Sequence, residues 1–290
     1  MIKYTVIIPH KNNAELVKRC ILSIPDNEEI EVIVVDDNSS ETNRTFVKRC
    51  CSERSNTKYI QCEESKGGGY ARNIGLNHAI GEWIIFSDAD DFFAKLFWEK
   101  IDTFVERRKA DIIYFKVMGV YSTSLQPAKR GWNYNMYVSN YINGRKNSEE
   151  RLRFYHMVPW GKVFKQSFIR DNGIKFDEVM ASNDVMFNVI AGSLASNVVA
   201  YDYLMYYVTV SEYSLTKQIN RDLLRTRFNV LIRHYKYVMS LGKPQCTFNL
   251  FYFVYKYSKP FGLSEYCRYI KLLWQERVNP FVIVRKIGRY

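Results

Sequence analysis

Trp83-Ile84-Ile85-Phe86-Ser87-Asp88-Ala89-Asp90-Asp91 decides the fold. Glu82 to Ser87 is an almost wholly apolar run of strand length, which suits a strand buried on both faces. The three acids behind it then lie at the carboxyl end of that strand. Working back toward the N-terminus, the same alternation repeats. Thr5 to Pro9 is a β-branched run for a buried strand, and Asn13 to Ser23 has Leu16 and Cys20 at helical spacing. Ile30 to Val35 is a second apolar strand, and it too ends in acids, Asp36-Asp37-Asn38-Ser39-Ser40. Phe46 to Cys50 suits a helix, Tyr59 to Cys62 a short strand. Gly67-Gly68-Gly69 breaks the chain before Tyr70 to Ile80 resumes helical spacing. Strands alternating with helices predict an α/β fold: a mostly parallel central sheet with helices on both faces. Such sheets bind ligands beyond the carboxyl ends of their strands, so the two acidic clusters are expected to share one crevice.

The acids carry chemistry as well as position. Asp88, Asp90 and Asp91 fall within four positions, and carboxylates that close repel one another unless a cation offsets them. A hard divalent ion such as Mg²⁺ or Mn²⁺ takes oxygen ligands and completes its shell with phosphate oxygens in nucleotide enzymes. The alternative is a solvated acidic turn opening a helix. No Lys or Arg follows the cluster before Lys95. Gly67-Gly68-Gly69 reads either as a phosphate cradle or as a plain turn; it matches neither dinucleotide-binding nor Walker A spacing. Arg72, at the start of the next helix, suits a base edge or a diphosphate oxygen.

In order, the residues Ile7-Ile8-Pro9-x-x-Asn12, Glu15, Val34-Val35-Asp36-Asp37-Asn38-Ser39, Gly69-x-Ala71-Arg72-Asn73-x-Gly75 and Gly81-Glu82-x-Ile84-x-Phe86-x-Asp88-Ala89-Asp90-Asp91 resemble glycosyltransferase family 2, with its GT-A fold. The resemblance covers residues 3–115 and resumes at 158–217. It implies that Pro9, His10 and Asn12 line a nucleotide pocket and that Asp36 and Asp37 approach the base and ribose. Arg72 would lie near the base or phosphates, Asp88 and Ala89 near the ribose, Asp90 on the metal and Asp91 beside the donor sugar. Where the family usually has Tyr this chain has His10, whose imidazole can also stack.

Further on, Trp160-Gly161-Lys162-Val163-Phe164 and Ser182-Asn183-Asp184-Val185-x-Phe187 resemble the family's stretches before and at its catalytic acid. The family usually has Glu-Asp at the second of these; here Asn183 replaces the Glu and Asp184 keeps the Asp. The resemblance makes Asp184 the general base, with Trp160 and Asn183 near the acceptor. With one negative neighbour fewer, Asp184 is expected to stay near its ordinary pKa. The competing reading has Ser182 and Asp184 as residues of a helix start. The implied reaction is a single inverting displacement from a nucleotide-sugar, a UDP-sugar, onto a hydroxyl of a glycan or lipid-linked saccharide, in cell-surface polysaccharide synthesis. Two other readings stand beside it: a non-catalytic nucleotide-binding scaffold, and a nucleotidyltransferase, whose Gly-rich N-terminal loop is absent where Ile8-Pro9-His10 stands.

With 47% hydrophobic residues in 290, the chain can bury one large core with an appended subdomain. We expect a GT-A domain over 1–216, split into a nucleotide-sugar half, 1–117, and an acceptor half, 118–216. Turns and short strands are expected over 118–148, where Trp132 and Tyr134 could stack on sugar faces. Residues 217–290 should form a helical, basic, aromatic region. Residues 1–216 balance 27 Lys+Arg against 27 Asp+Glu, whereas 217–290 hold 15 against only Asp222, Glu265 and Glu276. The whole net charge of +12 therefore lies in the last quarter. Basic amphipathic helices rich in Trp, Tyr and Phe fit an anionic membrane surface, the catalytic core or a second copy of the chain. No nucleic-acid module is present. No apolar run reaches spanning length, no signal peptide is evident, and six cysteines lack metal or C-x-x-C spacing. The expectation is a cytoplasmic protein with reduced thiols, peripheral on the inner face of the cell membrane.

Overall fold

The computed structural model describes residues 1–106, 109–210 and 220–279. In chain order, β1 (Tyr4–His10), α1 (Ala14–Leu22), β2 (Ile30–Asp36), α2 (Glu41–Ser52), β3 (Thr57–Gln61), α3 (Gly68–His78) and β4 (Trp83–Phe86) form the expected alternation. There follow β5 (Phe92–Phe93), α4 (Lys95–Trp98), α5 (Ile101–Glu106), β6 (Ile112–Tyr121), α6 (Trp132–Ile142) and α7 (Ser148–Tyr155). Then come β7 (Lys162–Lys165), α8 (Gln166–Asp171), α9 (Val185–Leu194) and β8 (Val198–Val210). The C-terminal helices are α10 (Arg221–Ser240), α11 (Leu250–Ser258) and α12 (Leu263–Gln275).

The described strands make one sheet in the order β3-β2-β1-β4-β7-β6-β8-β5. β3, β2, β1 and β4 run parallel; β7 is antiparallel to both β4 and β6, β8 is parallel to β6, and β5 is antiparallel to β8. β2 is buried along its whole length, as its apolar sequence demands. Apolar residues alternate to two faces. Val6 and Ile8 pack with Val17 and Ile21 of α1 and Phe97 of α4, whereas Ile7 and Ile33 pack with Ala71 of α3, Leu152 of α7 and Phe187 of α9. Gly75 allows α3 to lie on β1, since a Cβ there would sit 2.4 Å from Ile7.

Two expectations are corrected. Residues 118–148 are not turns and short strands: β6 extends to Tyr121, and α6 occupies 132–142. Its Asn and aromatic residues are poor helix formers, but Val138 is fully buried against the sheet, and tertiary packing outweighs propensity. The division at 117/118 also cuts β6 in mid-strand, so the two halves share one continuous sheet. The division at 216/217 lies outside the described residues, as do residues 280–290 of the basic region.

The C-terminal helices pack on the core and on each other. Val238 of α10 joins Phe154 and Val189, while Phe228, Ile232 and Tyr235 join Val254 of α11 and Tyr269 and Leu273 of α12. Arg233 pairs with Asp177 at 2.9 Å, Lys243 with Glu150 at 2.5 Å, and Ser193 Oγ lies 2.6 Å from the Tyr237 hydroxyl. No helix among the described residues is long and apolar enough to cross a membrane.

Candidate active site

Parallel register brings the first two groups together. His10 at the end of β1 stands opposite Asp36 at the end of β2, with Nε2 3.7 Å from the Asp36 carboxylate. Both are buried. Desolvation lowers the His10 pKa, with Asp36 opposing, so the imidazole is neutral, and neither ring nitrogen has a hydrogen-bond partner among the described residues. Asp36 accepts from the Ser39 N–H at 2.6 Å and the Tyr59 hydroxyl at 2.9 Å. Asn12, at positive φ, accepts from the Ser40 N–H and donates its own N–H to Ser39. Pro9, next to the end of β1, pairs with Val35 of β2 and is half-buried. Asp37 accepts from the backbone N–H groups of Lys66 and Gly67 and from the Ser65 hydroxyl. The N–H groups of Lys66 and Gly67 are thus turned toward Asp37, which favours the turn reading of Gly67 over a phosphate cradle.

Behind β4, Ser87 to Asp91 fold into a tight acidic turn. Tyr206 of β8 fixes it from below: its hydroxyl accepts the Asp88 N–H at 2.8 Å and lies 2.9 Å from Ser87 Oγ. Thr209 donates its N–H to Asp91 Oδ1 at 2.6 Å and its hydroxyl to the Asp90 carbonyl at 2.9 Å. Arg19 donates to the same carbonyl at 2.7 Å. Ala89 is buried within the turn. Carboxylate oxygens of Asp88, Asp90 and Asp91 all lie within 4.8 Å of one another. Burial first, and then the neighbouring carboxylates, raises the pKa of Asp90 and raises that of Asp91 further. Asp91 Oδ2 is buried and has no hydrogen-bond partner among the described residues. Crowded, partly desolvated oxygen donors with an unused oxygen among them fit a hard divalent cation.

Arg72, at the start of the second turn of α3, crosses the crevice. It donates to Asp88 at 2.6 Å and to the Asn183 side chain at 3.0 Å, with its guanidinium over the Phe176 ring. Next to Asn183, Asp184 takes the N-cap position of α9, but its carboxylate makes no capping hydrogen bond. It is therefore not spent on the helix start. Desolvation raises its pKa to about 6; Arg72 pulls it down and Asp88 pushes it up. The expectation of a near-ordinary value is corrected, because burial outweighs the missing Glu. Asp184 remains mostly ionised at neutral pH.

Trp160 is only 3% exposed, edge-on to Tyr134 and stacked on Tyr206, so it shapes the wall and offers no face to a sugar. Tyr134 is largely covered as well, whereas Trp132 is exposed. Reading the sequence alone passed over Tyr206, Thr209, Arg19 and Lys162. Lys162 carried a faint signal, a charge directly before the apolar pair Val163-Phe164; the others carried none.

The sequence model of glycosyl transferase family 2 matches residues 5–173. The chain belongs to that family. Poly(ribitol-phosphate) beta-N-acetylglucosaminyltransferase TarS of Staphylococcus aureus is 27% identical over 219 residues, covering 73% of this chain and 36% of TarS. Poly(ribitol-phosphate) beta-glucosyltransferase of Bacillus spizizenii is 26% identical over 213 residues, 71% of this chain and 32% of that protein. The chain thus spans well under half the length of these relatives. The crystal structure of S. aureus TarS 1-349 in complex with UDP-GlcNAc superposes with a TM-score of 0.73 at 22% identity, over 95% of this chain and 80% of the other. The mannosyltransferase PcManGT of Pyrobaculum calidifontis, solved with GDP-Man and Mn²⁺, gives 0.55 at 15% identity, over 96% and 81%. These likenesses establish the fold as GT-A.

Proposed function

We propose that this chain is an inverting glycosyltransferase that moves a sugar from a UDP-sugar to a hydroxyl on a glycan or lipid-linked saccharide during cell-surface polysaccharide synthesis. One observation carries the reading: Arg72 joins the strand-end acid Asp88 to Asn183, and so holds the acidic turn and Asp184 in a single crevice. A UDP donor and a surface-polymer acceptor rest on the relatives, two of which are named for transfer to poly(ribitol-phosphate).

Each residue then has a task. Pro9, neutral His10 and the Asn12 turn line the nucleotide side. Asp36 and Asp37 set the shape of that side through their own hydrogen bonds. Arg72 would offer its charge to the diphosphate, Asp88 and Ala89 would lie toward the ribose, and Asp91 beside the donor sugar. Asp90, with Asp88 and Asp91 beside it, would hold Mg²⁺ or Mn²⁺; the ion supplies Lewis-acid neutralisation of the diphosphate oxygens. Asp184 takes the proton of the acceptor hydroxyl as that oxygen attacks the anomeric carbon from the face opposite the leaving diphosphate. The C–O bond to the acceptor forms as that to the diphosphate breaks, so no enzyme nucleophile is needed.

The C-terminal helices would hold the enzyme on an anionic membrane surface. Tyr252, Tyr255, Leu263 and Trp274 stand exposed, with Arg268 and Lys271 on the outer side of α12, and Trp274 has 80% of its surface free. A melting-temperature screen of UDP, GDP and their sugars with Mn²⁺ or Mg²⁺ tests the donor, since a ligand bound only by the native state raises the midpoint. Release of UDP on adding polyol-phosphate or lipid-linked acceptors tests the reaction. Failure of every nucleotide to shift the midpoint would overturn the proposal.

A further inference from the structure

β5 and β8 pair antiparallel, with Phe93 opposite Tyr206 and Phe92 opposite Tyr207. Continuing that register sets Thr209 opposite Asp90, where the chain is still the acidic turn and β5 has not begun. A regular ladder would carry the Thr209 N–H to the Asp90 carbonyl. Here the two part. The N–H goes to Asp91 Oδ1 at 2.6 Å, and the Asp90 carbonyl accepts the Thr209 hydroxyl at 2.9 Å. Thr209 is fully buried, so its hydroxyl needs such a partner. Arg19 Nη2 reaches the same carbonyl at 2.7 Å, and the Asp91 N–H donates to the Asp88 carbonyl at 3.1 Å. Both polar atoms of the Asp90–Asp91 peptide are thus held, and that peptide sets the directions in which the two carboxylates leave the backbone.

We infer that Thr209 is a positioning residue for the divalent ion: from the end of β8 it sets the acidic turn in the shape that receives the cation. The inference rests on the reading of Asp90 and its neighbours as the residues that hold the metal. The Thr209 N–H occupies Asp91 Oδ1 and leaves Oδ2, buried and without a hydrogen-bond partner among the described residues, to face a cation. The Thr209 hydroxyl keeps the Asp90 peptide from turning over. Carboxylates gathered within 4.8 Å repel one another, and bonds from β8 oppose their separation. Tyr206, three residues earlier, accepts the Asp88 N–H at 2.8 Å, so one strand grips the turn at both ends. Thr209 is also uncharged. Removing Arg19 would take a repulsive charge from beside the cation as well as a hydrogen bond, with opposite effects on metal affinity. Removing the Thr209 hydroxyl changes the geometry and leaves the charges as they are.

The test titrates Mn²⁺ alone into the full chain and follows the loss of the free-ion EPR signal, beside a melting scan of each variant. Thr209→Val keeps the β-branched shape and the backbone N–H and removes only the hydroxyl. It should weaken Mn²⁺ binding by about tenfold, the lower end of what groups hydrogen-bonded behind metal ligands contribute. Thr209→Ser keeps a hydroxyl and should bind Mn²⁺ as the wild type does. Thr209→Ala, which also lacks the hydroxyl, serves if Thr209→Val does not fold. Asp90→Asn, which removes the ligand itself, should lose the site. If Asp90→Asn loses Mn²⁺ while Thr209→Val binds it as tightly as the wild type, the inference is overturned and Thr209 is a packing residue, whatever its melting midpoint. A Thr209→Ser chain as weak as Thr209→Val would overturn it too, because the hydroxyl would then not be what counts. Wild-type affinity in Asp90→Asn, or no Mn²⁺ uptake by the wild type, would instead overturn the placing of the ion at the acidic turn, and the role of Thr209 would fall with it.

Discussion

Replacing Gly69 by Ala places a methyl carbon 2.0 Å from the Asp177 carbonyl oxygen and 2.9 Å from Asn183 Cβ. Ordinary contact begins near 3.4 Å, so the start of α3 and the loop carrying Asp177 must part by about 1.4 Å. The nearest obstacle is backbone, and the loop is closed by the Asp177 N–H donating to the Asn183 carbonyl, so no flexible chain end can swing aside. Overpacking of this kind costs about 1–3 kcal/mol. Each kcal/mol lowers the melting midpoint by about 2–4 °C in domains of somewhat smaller size. The larger loss falls on activity. Arg72 reaches Asn183 across this same contact at 3.0 Å, and a misplacement on the order of 1 Å can cost about 10²-fold in rate. Differential scanning fluorimetry and UDP release at saturating donor read the two effects. Gly68→Ala is the control: its methyl would meet the movable end of Arg72 at 3.2 Å, so the midpoint should stay near wild type. If Gly69→Ala keeps both midpoint and turnover, the close approach does not build the crevice and the reasoning fails.

Asp90→Asn should abolish metal-dependent donor binding while the fold survives; calorimetry finding the same UDP-GlcNAc affinity with and without Mn²⁺ in both proteins would contradict it. Asp184→Asn should lower turnover by about 10²-fold with donor affinity nearly unchanged, the scale of a lost general base. Since the folded Asp184 pKa is raised to about 6 and the ionised form is the active one, kcat/KM should fall about tenfold between pH 7 and pH 5; a flat profile would remove Asp184 from the chemistry. Flotation with anionic vesicles should carry the protein upward at low salt and less so at high salt. Combining Trp274→Ala with Lys271→Glu should weaken that association, and no flotation at low salt would leave the exposed side of α12 without a membrane role.

The parts legible in sequence were those written in short, local patterns. Continuous apolar strands announced a parallel sheet, and acids directly behind β2 and β4 could only gather at its carboxyl edge. What stayed hidden depends on partners far along the chain. Nothing near Tyr206 or Thr209 announces that they hold the turn at Asp88 to Asp91 from more than a hundred residues away. The raised pKa of Asp184 could not be read because burial is a property of the assembled crevice. α6 was misread because its Asn, Tyr and Trp residues favour other conformations until the sheet beneath supplies Val138 with a place. The basic tail was legible as a surface in search of a partner, yet its buried side is satisfied by α9 and by its own helices.

The unbroken passage of β6 through residue 117 has a bearing on how such enzymes can be recombined. Chimeras that exchange donor specificity by cutting at 117/118 would split a ten-residue strand that pairs with β7 on one side and β8 on the other. Each fragment would keep half a ladder and present raw backbone edges to solvent, a template for aggregation. A graft that respects the sheet must carry β1 to β8 as one piece and join new sequence after Val210. Donor preference in this scaffold is therefore better altered by substitutions on the crevice wall than by swapping modules.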